Sequence, residues 1–167
     1  ILRPPRSTLF PYTTLFRSVP SISKYLGFLT AKDLKDLQFI VSQKVDFVAV
    51  SFVSDGKDIV NLRNIIKEAI VRNFGKKTEK IEMPWIVAKI ENQSAIENID
   101  SIAKETDVIM IARGDLAIEL PQEKVGVFQK KIIERCRKYK KPIIVATQMM
   151  ASMTENARPT RAEISDV

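Results

Sequence analysis

Residues 45–52 read VDFVAVSF, a run of strand length filled with β-branched and aromatic side chains and lacking any alternation of polar with apolar positions. That pattern predicts a strand covered on both faces, as in a parallel sheet with helices packed outside it. The flanks agree. Upstream, Thr30 followed three residues later by Asp33 is a helix-start pattern, and Leu34, Leu37, Ile40 and Val41 recur at helical spacing to about Lys44. Downstream, Ile59, Leu62, Ile66 and Ala69 form a second helical stripe ending near Gly75, and a lysine-rich loop follows.

The alternation continues to the end of the chain. WIVAKI at 85–90 reads as a strand, Ala95, Ile96, Ile99 and Ile102 as a helix, and DVIMIA at 107–112 as a strand. Val125, Phe128, Ile132, Cys136 and Tyr139 then mark a long amphipathic helix after Pro121, and IIVAT at 143–147 is a fourth strand. Four strands, each separated by one helical crossover, predict right-handed βαβ units and an all-parallel sheet, an α/β fold. In such folds ligands bind beyond the carboxyl ends of the strands. Polar residues gather there: Ser51, then Lys89 and Glu91, then Arg113 and Asp115, then Thr147 and Gln148.

Composition narrows the chemistry. The 167 residues are 45% hydrophobic and 28% charged, enough apolar material for one sizeable core. The apolar run Ile143–Ala146 is far below the roughly 20 residues a bilayer span needs, so no membrane span is expected. A single cysteine, Cys136, excludes an internal disulfide and a paired-thiolate metal motif, and points to a reducing, cytoplasmic setting. With no histidine in the chain, Ser-His-Asp and Cys-His nucleophile systems and imidazole acid–base chemistry are excluded. The net charge is +7, but Arg3, Arg6 and Arg17 fall in a stretch without acids, leaving 24 basic against 20 acidic groups in residues 19–167. So small a surplus argues against nucleic acid as a partner, and RCRKYKK at 135–141 reads as the solvated last turn of a helix.

Two positions apart on a strand, Lys89 and Glu91 project to one face while Ile90 points to the other. One ligand can reach both. In MIARGDLAIELP, Gly114 allows close backbone approach, and Leu116 onward is predicted to open a short helix whose free N–H groups favour an anion. Carboxylates at Glu91 and Asp115 on neighbouring strands, with the Lys89 ammonium, are the parts of a divalent-cation site that holds an oxyanion or phosphate. An adhesion reading of the Arg-Gly-Asp tripeptide requires an exposed loop, whereas here it directly follows an apolar strand.

From about Leu29 to Val167 the chain resembles the catalytic barrel of the pyruvate kinase family. The residues that carry the resemblance are LTAKDLKDL at 29–37, VDFVAVSFV at 45–53, IVAKIENQSAI at 86–96, DVIMIARGDLAIELPQEKVGVFQK at 107–130, PIIVATQMMASM at 142–153 and ARPTRAEISDV at 157–167. The resemblance implies a partial (β/α)8 TIM barrel over residues 30–167, about strands four to seven of eight, with parallel strands. It implies transfer of the phosphoryl group of phosphoenolpyruvate to ADP, giving pyruvate and ATP. By position, Lys89 matches the lysine that stabilises charge on the transferring phosphoryl and enolate oxygens. Glu91 and Asp115 match the two protein ligands of Mg²⁺. Gly114 and Asp115 match the backbone that receives the substrate carboxylate, Arg113 belongs to the same substrate-binding loop, and Thr147 matches the threonine near the enolate carbon that is protonated. K⁺ dependence and a homotetramer are implied for the complete protein. Other readings are a different Mg²⁺-dependent phosphoenolpyruvate or pyruvate barrel enzyme, and a non-catalytic barrel fragment. Ala117 and Ala95 stand where the family favours glycine, and Pro84 where an aliphatic opens the strand.

The amino-terminal stretch is of another kind. Residues 3–18, RPPRSTLFPYTTLFRS, contain TLF twice, no acid and three prolines, and resemble the in-frame translation of a short-read sequencing adapter. Residues 1–18 are therefore read as a non-native extension and residues 19–29 as the return from a lid domain. On this reading the chain is a fragment, inactive alone. Its inner barrel face is expected to be lined by Val48, Val87, Ile109 and Val145 or their neighbours.

Overall fold

The computed structural model describes residues 29–75, 81–147 and 149–167. The adapter-like stretch 1–18 lies outside the described residues, as do residues 19–28 of the segment read as a lid return, and Gln148.

The first helix, α1 (Ala31–Ser42), starts where the sequence places it, because Thr30 and Asp33 form a reciprocal capping box. Thr30 Oγ1 accepts from the Asp33 amide at 3.1 Å and the Asp33 carboxylate accepts from the Thr30 amide at 2.8 Å, satisfying two otherwise orphaned donors. β1 (Phe47–Val50) is shorter than the predicted run. Phe52 takes a φ of 58° and turns the chain off the sheet directly after Ser51. A second capping box, Asp55 with Asp58, opens α2 (Gly56–Phe74), which ends at Gly75 with φ 55°. Gly56 has a packing reason to be glycine: a Cβ there would lie 2.5 Å from the carbonyl oxygen of Ser101, and its amide donates to Ser101 Oγ at 3.1 Å.

β2 (Trp85–Ile90) has the predicted bounds. The helix expected across Ala95–Ile102 is in fact two, α3 (Gln93–Glu97) and α4 (Ile99–Glu105). Asn98 breaks it: its side-chain amide donates to the carbonyl of Ser54 at 2.9 Å, an alternative to helical pairing that asparagine takes readily. β3 (Val108–Ala112) leads directly into α5 (Arg113–Glu119). The helix thus begins three residues before the Leu116 start expected, and places Gly114 and Asp115 in its first turn. α6 (Gln122–Lys138), β4 (Ile143–Ala146), a 3₁₀ turn (Ala151–Thr154) and α7 (Arg161–Asp166) complete the chain.

The four strands pair in sequence order, β1-β2-β3-β4, all parallel. Among the described residues β1 and β4 are edges. The sheet is open, as four consecutive units of an eight-stranded barrel would be. Helices cover its outer face, where Ile59, Leu62 and Ile66 of α2 pack with Ile86, Ile90, Ile109, Ile111 and Ile132 in one buried core. Each such side chain contributes roughly 1.5–3 kcal/mol when fully removed from water. Cys136 belongs to this core, and burial pushes its thiol up to about 11, the state of an inert structural cysteine.

The inner face differs from the expectation. Register pairs Phe47 with Trp85, Val87 with Val108, Lys89 with Met110, and Met110 with Ile144, so these residues share one face with Lys89. Val48, Ile109 and Val145 have the opposite parity and turn outward to the helices; of the four valine and isoleucine positions expected inside, only Val87 faces inward. Because both faces of these strands are apolar, hydrophobicity alone does not set the parity. Phe47, Trp85 and Ile144 are 51%, 52% and 41% exposed on the uncovered side.

Candidate active site

Lys89 and Glu91 project from the carboxyl end of β2 on the inner face and form an ion pair. The glutamate is nearly sealed, with 1% of its side chain exposed against 25% for the lysine. Glu91 Oε2 also accepts from the Phe52 amide at 2.8 Å, and Lys89 Nζ donates to Ser51 Oγ at 3.0 Å. The turn made by Phe52 thus aims a backbone donor just beyond β1 at a carboxylate just beyond β2.

Burial pushes the Glu91 carboxyl above its ordinary range, outweighing the downward pull of the Lys89 ammonium and the Phe52 amide, and the charge of Asp115 adds to the rise. Asp115 is exposed in the first turn of α5, close enough for its charge to be felt at Glu91. Two mutually repelling carboxylates, one of them desolvated, suit a cation that would relieve both. Among the described residues no group of three or more Cys, Asp or Glu side chains is gathered to hold a metal unaided. Mg²⁺ fits that donor set, since it is commonly bound through one or two carboxylates with the remaining oxygens from a substrate and water.

Gly114 and Thr147 meet across β3 and β4. A Cβ on Gly114 would lie 3.2 Å from Thr147 Cγ2. Thr147 is exposed and has a φ of 98°, which is strained for a β-branched residue. Such strain gathers at functional sites, where surrounding structure must hold it in place.

Arg113 is engaged by other parts of the chain. Its guanidinium forms an ion pair with Asp166 at the end of α7 and a hydrogen bond to Met149 Sδ, so its charge is committed within the protein. Of the residues singled out in the sequence, Lys89 and Glu91 are joined directly, Asp115 is joined to them through its charge, and Gly114 is joined to Thr147. Ser51, likewise among the strand-end polar residues, joins them through Lys89, and the Phe52 amide extends the set. Asp166, which the sequence reading did not single out, enters through Arg113; its one sequence signal is the T-x-x-E helix start at Thr160–Glu163 just before it.

Residues 18–167 match the family model described as pyruvate kinase, barrel domain. A pyruvate kinase of Bacillus licheniformis is 43% identical over 150 residues, covering 90% of this chain and 24% of the relative. A pyruvate kinase of Leishmania mexicana is 45% identical over 150 residues, again 90% of this chain and 28% of the relative. A crystal structure of a pyruvate kinase from Cryptosporidium parvum superposes with a TM-score of 0.75 at 40% identity, covering 88% of this chain and 29% of that one. The chain spans about a quarter of the length of the curated relatives it matches.

Proposed function

The chain belongs to the pyruvate kinase family, and on that premise we propose that the complete protein transfers the phosphoryl group of phosphoenolpyruvate to ADP, releasing pyruvate and ATP. The observation that carries this reading is the Lys89–Glu91 ion pair at the carboxyl end of β2, with Asp115 in the first turn of α5 close enough for its charge to act on Glu91. In phosphoryl transfer positioning and charge stabilisation dominate, so a site without histidine is adequate.

The residues divide the work by chemistry. Lys89 supplies positive charge to the oxygens of the transferring phosphoryl and the enolate, where negative charge changes most during reaction. Glu91 and Asp115 would hold Mg²⁺, which when bound neutralises substrate oxygens. The backbone of Gly114 and Asp115 receives the substrate carboxylate. The Thr147 hydroxyl stands near the enolate carbon, which takes up a proton to become the methyl of pyruvate. K⁺ dependence, a homotetrameric complete protein and a cytoplasmic place in glycolysis belong to the same reading, supported by family membership.

Replacing Lys89 with Met in the complete protein tests it. Removal of a charge needed mainly in the transition state lowers turnover at least ~10²-fold with folding and Mg²⁺ binding near normal. Wild-type turnover in Lys89→Met, or no conversion of phosphoenolpyruvate and ADP by the wild-type protein, would sink the assignment.

A further inference from the structure

Helix α5 carries Gly114 and Asp115 in its first turn, yet that turn has no side-chain cap: Ala112 occupies the N-cap position and makes no capping bond. Something else must fix it. Arg113, the residue directly before Gly114, is paired with the Asp166 carboxylate and hydrogen-bonded to Met149 Sδ. The far end of this tether is itself fastened. The wholly buried Gln129 of α6 donates from Nε2 to the Asp166 carbonyl at 3.0 Å. Glu163, one turn earlier on α7, accepts from the Ser152 amide at 2.8 Å and from Ser152 Oγ, and these bonds with those from Thr160 hold its carboxyl down to about 2. The 3₁₀ turn that follows Thr147 and Met149 is thereby tied to α7.

The tether is poorly made as a stabilising device. Arg113 Nε and Gln129 Oε1 are buried and have no hydrogen-bond partner among the described residues. Unmet buried polar atoms are costly, so a pair serving stability alone would be better satisfied or replaced by apolar side chains. What the arrangement does achieve is geometric: one carboxylate on α7 fixes the guanidinium whose backbone leads into Gly114, and the same helix braces the turn that follows Thr147.

We infer that Asp166 is a positioning residue for the substrate site, holding Arg113 so that the Gly114–Asp115 turn presents its backbone to the substrate carboxylate. The inference rests on the function proposed above and assigns Arg113 a tethering role in place of direct contact with substrate.

The test uses the complete protein, with kcat, KM for phosphoenolpyruvate and Tm measured for Asp166→Asn, Arg113→Lys and the double variant. Asp166→Asn raises KM about tenfold while kcat stays within about threefold and Tm is little changed, because a loosened turn weakens substrate capture before it touches the reacting oxygens. In the Arg113→Lys background the same change adds less than about twofold, since residues acting as one unit are not additive. An unchanged KM in Asp166→Asn overturns the inference, as do effects that multiply in the double variant or a fall in kcat that merely follows Tm. Should Asp166→Asn not fold, Asp166→Glu is measured under the same criteria: a KM rise that disappears beside Arg113→Lys supports the tether, and a wild-type KM overturns it. A wild-type protein that does not convert phosphoenolpyruvate and ADP would instead refute the proposed function itself.

Discussion

Glu91 is paired with Lys89 on the inner face of β2, and burial nonetheless raises its carboxyl pKa above the ordinary value of 4.5. The ion pair does not fully offset the loss of water, which is the usual balance for a buried charge pair. A carboxyl whose folded value is raised contributes stability that is fully present below its unfolded value and lost as pH rises through the folded one.

Glu91→Gln in the complete protein follows from that sign. Below about pH 4 the wild-type carboxyl is protonated in both states, and the variant gains nothing. As pH rises toward neutrality the wild type must ionise a buried group, and Glu91→Gln becomes progressively more stable relative to it while losing activity. Thermal unfolding of both proteins from pH 4 to pH 8 checks this; a stability gap that shrinks with rising pH would refute the burial argument.

Asp115→Asn and Glu91→Gln each raise the Mg²⁺ concentration needed for half-maximal activity, by about tenfold, since each removes one hard oxygen charge from the cation. Titration of activity against Mg²⁺ reads the effect. If both curves coincide with wild type, the two carboxylates do not hold the cation.

Much of the scaffold is legible in the sequence because its signals are local. The Thr30–Asp33 cap, the bounds of β2 and the shared face of Lys89 and Glu91 all follow from spacing and strand parity. The inner face is misread for a physical reason: Val48, Ile109 and Val145 lie in strands apolar on both sides, and only inter-strand register, anchored on Lys89, assigns the faces. The break at Asn98 depends on a carbonyl 44 positions away, that of Ser54. Asp166 likewise acquires its role from Arg113, 53 positions earlier, and no periodicity links such a pair.

Gly114→Ala tests the contact across β3 and β4. An added Cβ would meet Thr147 Cγ2 at 3.2 Å, so one of the two must yield by a few tenths of an ångström at the backbone proposed to receive the substrate carboxylate. kcat/KM falls about tenfold, as misplacement of this order does in an active site. Combining Gly114→Ala with Thr147→Ser removes the opposing methyl and keeps the hydroxyl, and the double variant recovers a large part of the loss. A double variant no better than Gly114→Ala alone would show that the contact is not the cause.

The last expectation concerns the 167-residue chain on its own. Phe47 and Trp85 stack edge-to-face at 5.8 Å on the inner side of the sheet, and with Ile144 they are left about half exposed. On the same side Val87 and Val108 are buried and Met110 is half-buried, while β1 and β4 each present an unpaired backbone edge among the described residues. Exposed aromatic and aliphatic side chains beside open strand edges are a template for association. With Phe47, Trp85 and Ile144 left exposed, less apolar burial opposes the entropy of ordering, roughly 1–2 kcal/mol per residue for the backbone. The chain expressed alone therefore self-associates, binds an apolar dye, and shows no turnover of phosphoenolpyruvate with ADP, and removing residues 1–18 alters none of these. Replacing Phe47 with Lys and Trp85 with Glu, which places charges on the uncovered face, raises the monomer fraction without restoring turnover. Light scattering coupled to size-exclusion chromatography reads the association, and a monomeric, cooperatively unfolding and active 167-residue chain would overturn its description as an open part of a barrel.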